Sequence, residues 1–463
     1  MKKLVLAALA ALAFTTVTYA QDVAPFKDGD RVVYIGDSIT DGGHYHSYIW
    51  LFYATRFPYM NVRMYNGGIG GETAEMIYKR LDGDIFAKSP TYLTLTFGMN
   101  DTGYLEYKDE GAEAFGNERL SWSLDWFGKI VDRFKPMHDV KVAMIGGSPY
   151  DNTTTMDSLF GELPGKNEVM QKISAAQKEC AEANGWGFVD FNAPMVQVGI
   201  EQQKAKPDFS LTGGDRVHPD NAGHMVMTYL FLKAQGFEGS VVADIEIDAA
   251  KSKTVKEGNC TISGLACDRR QVSFDYLAES LPYPLDTIAH GNGAPQAKGV
   301  DYVPFMDEMN MERLCVKGLS KGNWTLRIDG EEMGSWTAAE LADGINMAAL
   351  TWSPQYRQAQ QVMYLNEFRW EIEQNFREYA WMQYDVMQDL GLLDVNDRHA
   401  VEVMDSYKPS NGWIGWHRPN YARYMHEGVR NARWAEMESL ADSMYQLNKP
   451  VAHRITLTKD TAR

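Results

Sequence analysis

Cysteine is scarce in this chain, with four in 463 residues, at positions 180, 260, 267 and 315. That excludes a dense disulfide framework, and the spacing matches no paired CxxC zinc site. Cys260 and Cys267 are near enough in sequence to close a short disulfide loop, with unpaired buried thiols as the alternative. Basic charge is also in short supply: 45 Lys and Arg stand against 62 Asp and Glu, a formal net charge of −17. Such an excess repels phosphate backbones and anionic lipid, so nucleic acid and anionic membrane surfaces are excluded as partners and strong polyanions are poor substrates. Beyond the N-terminus no run approaches the roughly 18 uninterrupted apolar residues of a membrane span. No internal repeat, low-complexity tract or cluster of metal-ligand spacing is present, and no metal or organic cofactor is expected.

What the chain does have begins at its start. Met1-Lys2-Lys3 precedes an apolar run from Leu4 to Phe14 and then Thr18-Tyr19-Ala20. A basic start, a short hydrophobic region and a small-residue site read as a secretory signal over 1–20, cleaved after Ala20. No cysteine follows that site, which argues against a lipid-anchored lipoprotein. The expected mature protein is exported, periplasmic or extracellular, with 43 basic against 62 acidic residues and a net charge of −19.

Residues 31 to about 236 alternate short apolar runs with helical spacing. Candidate strands are 31–35, 62–65, 92–97, 141–145 and 187–191, and candidate helices include 121–134, 168–183 and 221–234. This alternation predicts a parallel sheet covered on both faces, with ligands at the carboxyl ends of its strands. After Gly236 the texture changes. Strand-like alternation at 241–247, 272–276 and 325–328 predicts a small β-rich domain over 241–335. Amphipathic helical patterning over 355–390 and 420–447 predicts a helical region over 336–463, and 21–240 is left as the catalytic unit.

The first candidate strand runs into Gly36-Asp37-Ser38-Ile39-Thr40. A serine at a strand-to-helix turn projects its hydroxyl at the carboxyl edge of the sheet, beside the free N–H groups of the helix. Taken alone, Ser38 is as well explained as a helix cap. Nucleophilic use requires a base and an oxyanion hole. Asp215-Arg216-Val217-His218-Pro219 supplies an acid three residues before a histidine, so one turn can hold both. Asn100, closing the third strand in Phe97-Gly98-Met99-Asn100-Asp101, can offer its amide N–H, as the backbone N–H groups of Ser38 and Gly71 also can.

These segments resemble the SGNH (GDSL-like) hydrolase superfamily. Gly36-Asp37-Ser38-Ile39-Thr40 is similar to its first block and Asn66-Gly67-Gly68-Ile69-Gly70-Gly71-Glu72-Thr73 to its second. Gly98-Met99-Asn100-Asp101 is similar to the third and Asp215-Arg216-Val217-His218-Pro219 to the fifth. The resemblance implies a flavodoxin-like three-layer α/β/α fold and a cofactor-free esterase. It implies Ser38 as nucleophile, His218 as base and then acid, Asp215 as orienting carboxylate, and Ser38 N–H, Gly71 N–H and the Asn100 amide as the oxyanion hole. Gly70 is an alternative to Gly71, because many relatives have a small polar residue before a single glycine there. A looser likeness, to exported bacterial esterases of glycan breakdown, implies an O-acyl ester on a polysaccharide or oligosaccharide, with acetyl preferred because no long apolar groove is legible. Lipase or thioesterase activity, or a non-catalytic glycan-binding module on the same scaffold, are the alternatives.

Other residues are less decisive. His44 and Tyr45 follow the nucleophile closely enough to border an acyl pocket. Trp413 and Trp416, with His417 and Tyr421, fall in a Gly- and Pro-containing segment that reads as a loop. Exposed there they would stack on sugar rings, and the more common outcome is burial in an interdomain seam. The oligomeric state is left open.

Overall fold

The computed structural model describes residues 23–407 and 409–460, so the expected signal segment lies outside the described residues. The first half of the chain builds one parallel sheet from β1 (Arg31–Gly36), β2 (Arg63–Gly68), β3 (Tyr92–Leu95), β4 (Lys141–Gly146) and β5 (Gly187–Asp190). Their order is β2-β1-β3-β4-β5, the flavodoxin-like arrangement. Near-continuous apolar runs such as Val32 to Ile35 are buried on both faces because helices cover both. These helices are α1 (Ser38–Asp41), α2 (Tyr45–Arg56), α3 (Ala74–Arg80), α4 (Ala112–Phe134), α5 (Lys166–Asn184), α6 (Asn192–Gln203) and α7 (Asn221–Ala234). The result is the three-layer α/β/α fold that the resemblance to SGNH hydrolases implies, with the loops after β1, β2 and β3 gathered at one edge.

Two further sheets follow. β6 (Val241–Asp248), β7 (Lys253–Gly258), β8 (Cys260–Cys267) and β9 (Gln271–Ala278) lead through α8 (Phe305–Glu308) to β10 (Met311–Lys317), β11 (Asn323–Ile328), β12 (Glu331–Thr337), α9 (Ala338–Asp343) and β13 (Ile345–Asn346). One sheet is ordered β13-β10-β6-β7 and the other contains β12, β11, β9 and β8. They share a core of Ile245, Ile247, Phe274, Leu314, Leu326 and their neighbours. The helical part consists of α10 (Pro354–Trp381), α11 (Arg398–Tyr407), α12 (Gly412–Tyr424) and α13 (Glu427–Leu447).

Two sequence expectations are corrected here, and the open choice between a disulfide and free thiols is decided. The region over 336–463 is not wholly helical: β14 (His453–Lys459) returns to the second sheet and pairs with both β9 and β11, so the order is β12-β11-β14-β9-β8. Its alternating buried residues Ile455 and Leu457 complete the β core. The Gly- and Pro-containing segment is a helix, α12, capped by the Asn411 side chain, which accepts from Trp413 N–H. Cys260 and Cys267 are free thiols. They stand at opposite ends of the single strand β8, and at about 3.3 Å per residue those ends are some 20 Å apart, far beyond disulfide reach.

The helices α10 and α13 lie along β2, the edge strand of the parallel sheet. An exposed edge carries unpaired backbone groups and is a site of unwanted pairing. Side chains from these helices occupy that edge: Val62 N–H donates to Tyr445 Oη (3.1 Å), Tyr445 Oη donates to Val62 O (2.6 Å), and Asn66 N–H donates to Glu373 Oε1 (2.8 Å).

Candidate active site

Ser38 is the first residue of α1, immediately after β1 and Asp37. Asp37 caps the helix by accepting from Ile39 N–H (2.9 Å), which leaves the Ser38 side chain free of capping duty. Ser38 Oγ lies 2.8 Å from His218 Nε2, and His218 Nδ1 lies 2.6 Å from Asp215 Oδ2. Asp215 Oδ1 also accepts the backbone N–H of Val217 and of His218, both at 2.9 Å, so carboxylate and imidazole are locked in one turn. The histidine and aspartate side chains stand at the surface, 46% and 40% exposed, open to substrate.

Burial alone would lower the His218 pKa, but the hydrogen bond and charge of Asp215 outweigh it and raise the imidazole above its ordinary value. Asp215 moves the other way. Burial would raise it, yet its bonds to His218 and the turn hold it below the usual carboxylate range.

Sequence reading missed Arg216. It sits in the left-handed conformation (φ 68°), uncommon for a side-chain-bearing residue, and so sends the chain from Asp215 round to His218. Its buried guanidinium secures that turn by donating to Asp151 O (2.9 Å) and Ser158 Oγ (3.1 Å).

Three candidate N–H donors come from the start of α1 and from the loops after β2 and β3. The Ser38 N–H is at the open start of α1. Gly70 N–H donates to Asp41 Oδ2 (3.0 Å), whereas Gly71 N–H has no protein acceptor among the described residues and Gly71 adopts φ +88° in open space. Gly71 is therefore the one of the two glycines free to bind an oxyanion. Asn100 Oδ1 accepts from Tyr104 Oη (2.9 Å) and one amide hydrogen is given to Glu72 O (3.0 Å), leaving the second for a ligand. Tyr104, also missed by sequence reading, stacks on Phe160 with ring centroids 4.8 Å apart. Beneath it, the buried Lys166 ammonium donates to Met99 O, Thr102 Oγ1 and Gly103 O, each at 2.6 Å, and pins the loop that carries Asn100. Burial pulls Lys166 down to about 7.

The expected rim residues are placed elsewhere. Tyr45 is fully buried, with its hydroxyl 3.1 Å from Thr40 Oγ1 and its ring against Tyr34 and Phe191. His44 is buried between α2 and α10, 3.0 Å from Glu367 Oε1 and stacked on Trp370. Proximity to Ser38 in sequence suggested a rim, but α2 turns inward at His44 and carries both into the core. Trp413 and Trp416 are not buried in a seam: they are 66% and 73% exposed on α12, while His417, stacked against Trp413, and Tyr421 are buried. Among the described residues no group of three or more His, Cys, Asp or Glu is arranged to hold a metal ion, and no helix is long and apolar enough to cross a membrane.

Comparison with known proteins adds an independent line. Residues 34–226 match the GDSL-like Lipase/Acylhydrolase family, and residues 360–449 match the Diltiazem deacetylase C-terminal helical domain. The solved structure of a gut microbial diltiazem-metabolizing enzyme is 52% identical, covers 95% of this chain and 100% of its own, and superposes with a TM-score of 0.93. An acetylxylan esterase of Geobacillus stearothermophilus is 26% identical over 228 residues, 45% of this chain and 95% of that protein.

Proposed function

Because this chain belongs to the GDSL-like lipase/acylhydrolase family, extended by a C-terminal helical domain, we propose that it is an exported serine esterase that removes O-acetyl groups, with acetylated oligosaccharides as its natural substrates. The observation that carries the esterase reading is the continuous relay from Ser38 Oγ through His218 to Asp215. Ser38 Oγ attacks the ester carbonyl carbon while His218 Nε2 takes its proton. The negative charge gathers on the carbonyl oxygen, where the Ser38 and Gly71 N–H groups and the Asn100 amide receive it. His218 then returns the proton to the departing alcohol oxygen, leaving acetyl on Ser38. Water, deprotonated by the same imidazole, releases acetate.

The preference for acetyl is supported by the likeness to an acetylxylan esterase and by this chain's own match to the Diltiazem deacetylase C-terminal helical domain. The glycan preference draws on the exposed Trp413 and Trp416, whose ring faces suit sugars. A second reading, favoured by 52% identity across nearly the whole chain, is an acetylated drug-like ester of the diltiazem kind. Acetate release from acetylated xylo-oligosaccharides and from diltiazem, compared by kcat/KM, separates the two. A fluorophosphonate probe is expected to label Ser38 and not a Ser38→Ala variant. Preference for long nitrophenyl esters would point to a lipase or thioesterase, and absence of labelling in folded protein to a binding module.

A further inference from the structure

The oxyanion loop Gly68 to Gly71 is held from outside the hydrolase fold. It runs from the end of β2 and passes so close to α1 that a Cβ on Gly68 would lie 2.3 Å from Asp41 N, while one on Gly70 would sit 3.8 Å from Ser38 Cβ. Ile69 N–H donates to Gly36 O (3.1 Å), and the Gly68 and Gly70 N–H groups are received by two side chains. Asn66 accepts Gly68 N–H (2.8 Å) through its side chain and donates Nδ2 to Asp41 O (2.7 Å). Asp41 takes Gly70 N–H on Oδ2 (3.0 Å) and the Gln374 amide on Oδ1 (3.2 Å).

Gln374 lies on α10, as do the other outside contacts. Glu373 accepts from Asn66 N–H at 2.8 Å, and Arg377 donates from Nε to Gly68 O at 2.8 Å while pairing with buried Asp84. Positions 373, 374 and 377 share one helix face. That face is turned to the loop: Glu373 and Arg377 touch it at Asn66 and Gly68, and Gln374 reaches Gly70 through Asp41.

Resting on the esterase reading above, we propose that the C-terminal helical domain completes the oxyanion hole: Gln374 and Asp41 are positioning residues that spend the Gly70 N–H and so aim the Gly71 N–H at the substrate oxygen. Neither touches the reacting atoms. A carboxylate accepts only, so Gln374 must turn its amide nitrogen to Asp41, and this fixes which oxygen is left for Gly70. The brace acts where charge develops, so its loss reduces turnover while ground-state binding is kept.

The test is steady-state kinetics on nitrophenyl acetate, with inhibition by phenylboronic acid, whose boron bonds to Ser38 Oγ and places a B–O in the oxyanion hole. Asp41→Ala is expected to lower kcat about 100-fold, near the loss of one full donor. Gln374→Met, which keeps the packing and removes the donor, is expected to lower it about tenfold. In both, KM stays within about twofold and the boronic acid Ki rises in step with the kcat loss. Asp41→Asn is expected to recover kcat to within about threefold, because its oxygen can serve Gly70 and its amide can face the Gln374 oxygen, which is buried without a partner. Gln374 is only half-buried, so Gln374→Met decides the matter even if Asp41→Ala fails to fold. Full turnover and full boronic acid affinity in Gln374→Met, with active wild type, would overturn the brace alone. Wild type that neither turns over nor labels at Ser38 would overturn the esterase reading and the brace with it.

Discussion

Asn100 shows how a single side chain is made ready. An amide can rotate to exchange oxygen for nitrogen, and here the Glu72 carbonyl, which can only accept, holds the nitrogen in place while Tyr104 Oη donates to Oδ1. Asn100→Ala is expected to lower kcat by about 10²–10³, the equivalent of about 2.7–4 kcal/mol of barrier, without loss of fold. Tyr104→Phe keeps the ring on Phe160 and leaves the amide held by the Glu72 carbonyl alone, and about a tenfold loss of kcat is expected in the same assay. His218 sets the pH dependence. As a base it works only when neutral, and Asp215 holds its pKa above the ordinary 6.5, so kcat/KM should fall as pH drops through a value above 6.5. Asp215→Asn removes the hydrogen bond and charge responsible, so the inflection should move to lower pH while the plateau falls by orders of magnitude, about 10⁴ in comparable triads. A pH–rate profile for each protein checks both. Ser38, Asp215 and His218 could be picked out in the sequence because a short turn carries each role. Tyr104, Arg216 and Lys166 could not, since each acts through a fold contact with no motif of its own.

At the scale of elements, periodicity located strands and helices better than it located their partners. The extent of α7 was legible to the residue, because Asp220 caps it after a proline and its apolar face is continuous. β14 escaped notice because seven alternating residues after a long helical stretch look like a frayed tail, and only the vacancy between β9 and β11 gives them a place. Leu457 is fully buried at the centre of that sheet. Leu457→Ala is expected to cost about 2–5 kcal/mol in denaturant unfolding. The initial rate on nitrophenyl acetate at 25 °C should stay at the wild-type level, because β14 contributes nothing to the gathered loops. A simultaneous loss of kcat in still-folded protein would show that the β sheets reach the site. On α12 the rings of Trp413 and Trp416 are exposed. Trp416→Ala changes only surface, so weaker binding of acetylated oligosaccharide by calorimetry would identify a sugar platform, and unchanged affinity would remove it.

For the whole molecule, the packing joins the segments on either side of the change of texture after Gly236. The core on one face of the parallel sheet joins Val32, Tyr34 and Ile49 to Tyr283 and Phe305 from the middle of the chain and to Val362, Ala441 and Met444 from the helical part. Polar contacts cross the same boundary: Arg56 donates to Met309 O (2.6 Å), Asn366 to Ser47 O (2.9 Å) and Asn448 to Ala54 O (2.7 Å). Patterning tells a residue which face it buries and is silent about the distant segment that covers it. A molecule joined in this way should unfold as one unit. Met444 is fully buried in the shared core, more than 400 residues from Ser38 in sequence, and Met444→Ala is expected to cost about 2–5 kcal/mol. On heating, loss of near-ultraviolet circular dichroism, loss of helix and loss of acetate release should coincide, and Met444→Ala should shift all three to lower temperature by the same amount. If the C-terminal helices melted first while Ser38 still turned over at full rate, the edge strand β2 and its oxyanion loop would have to stand unaided, against everything that α10 and α13 do along that edge.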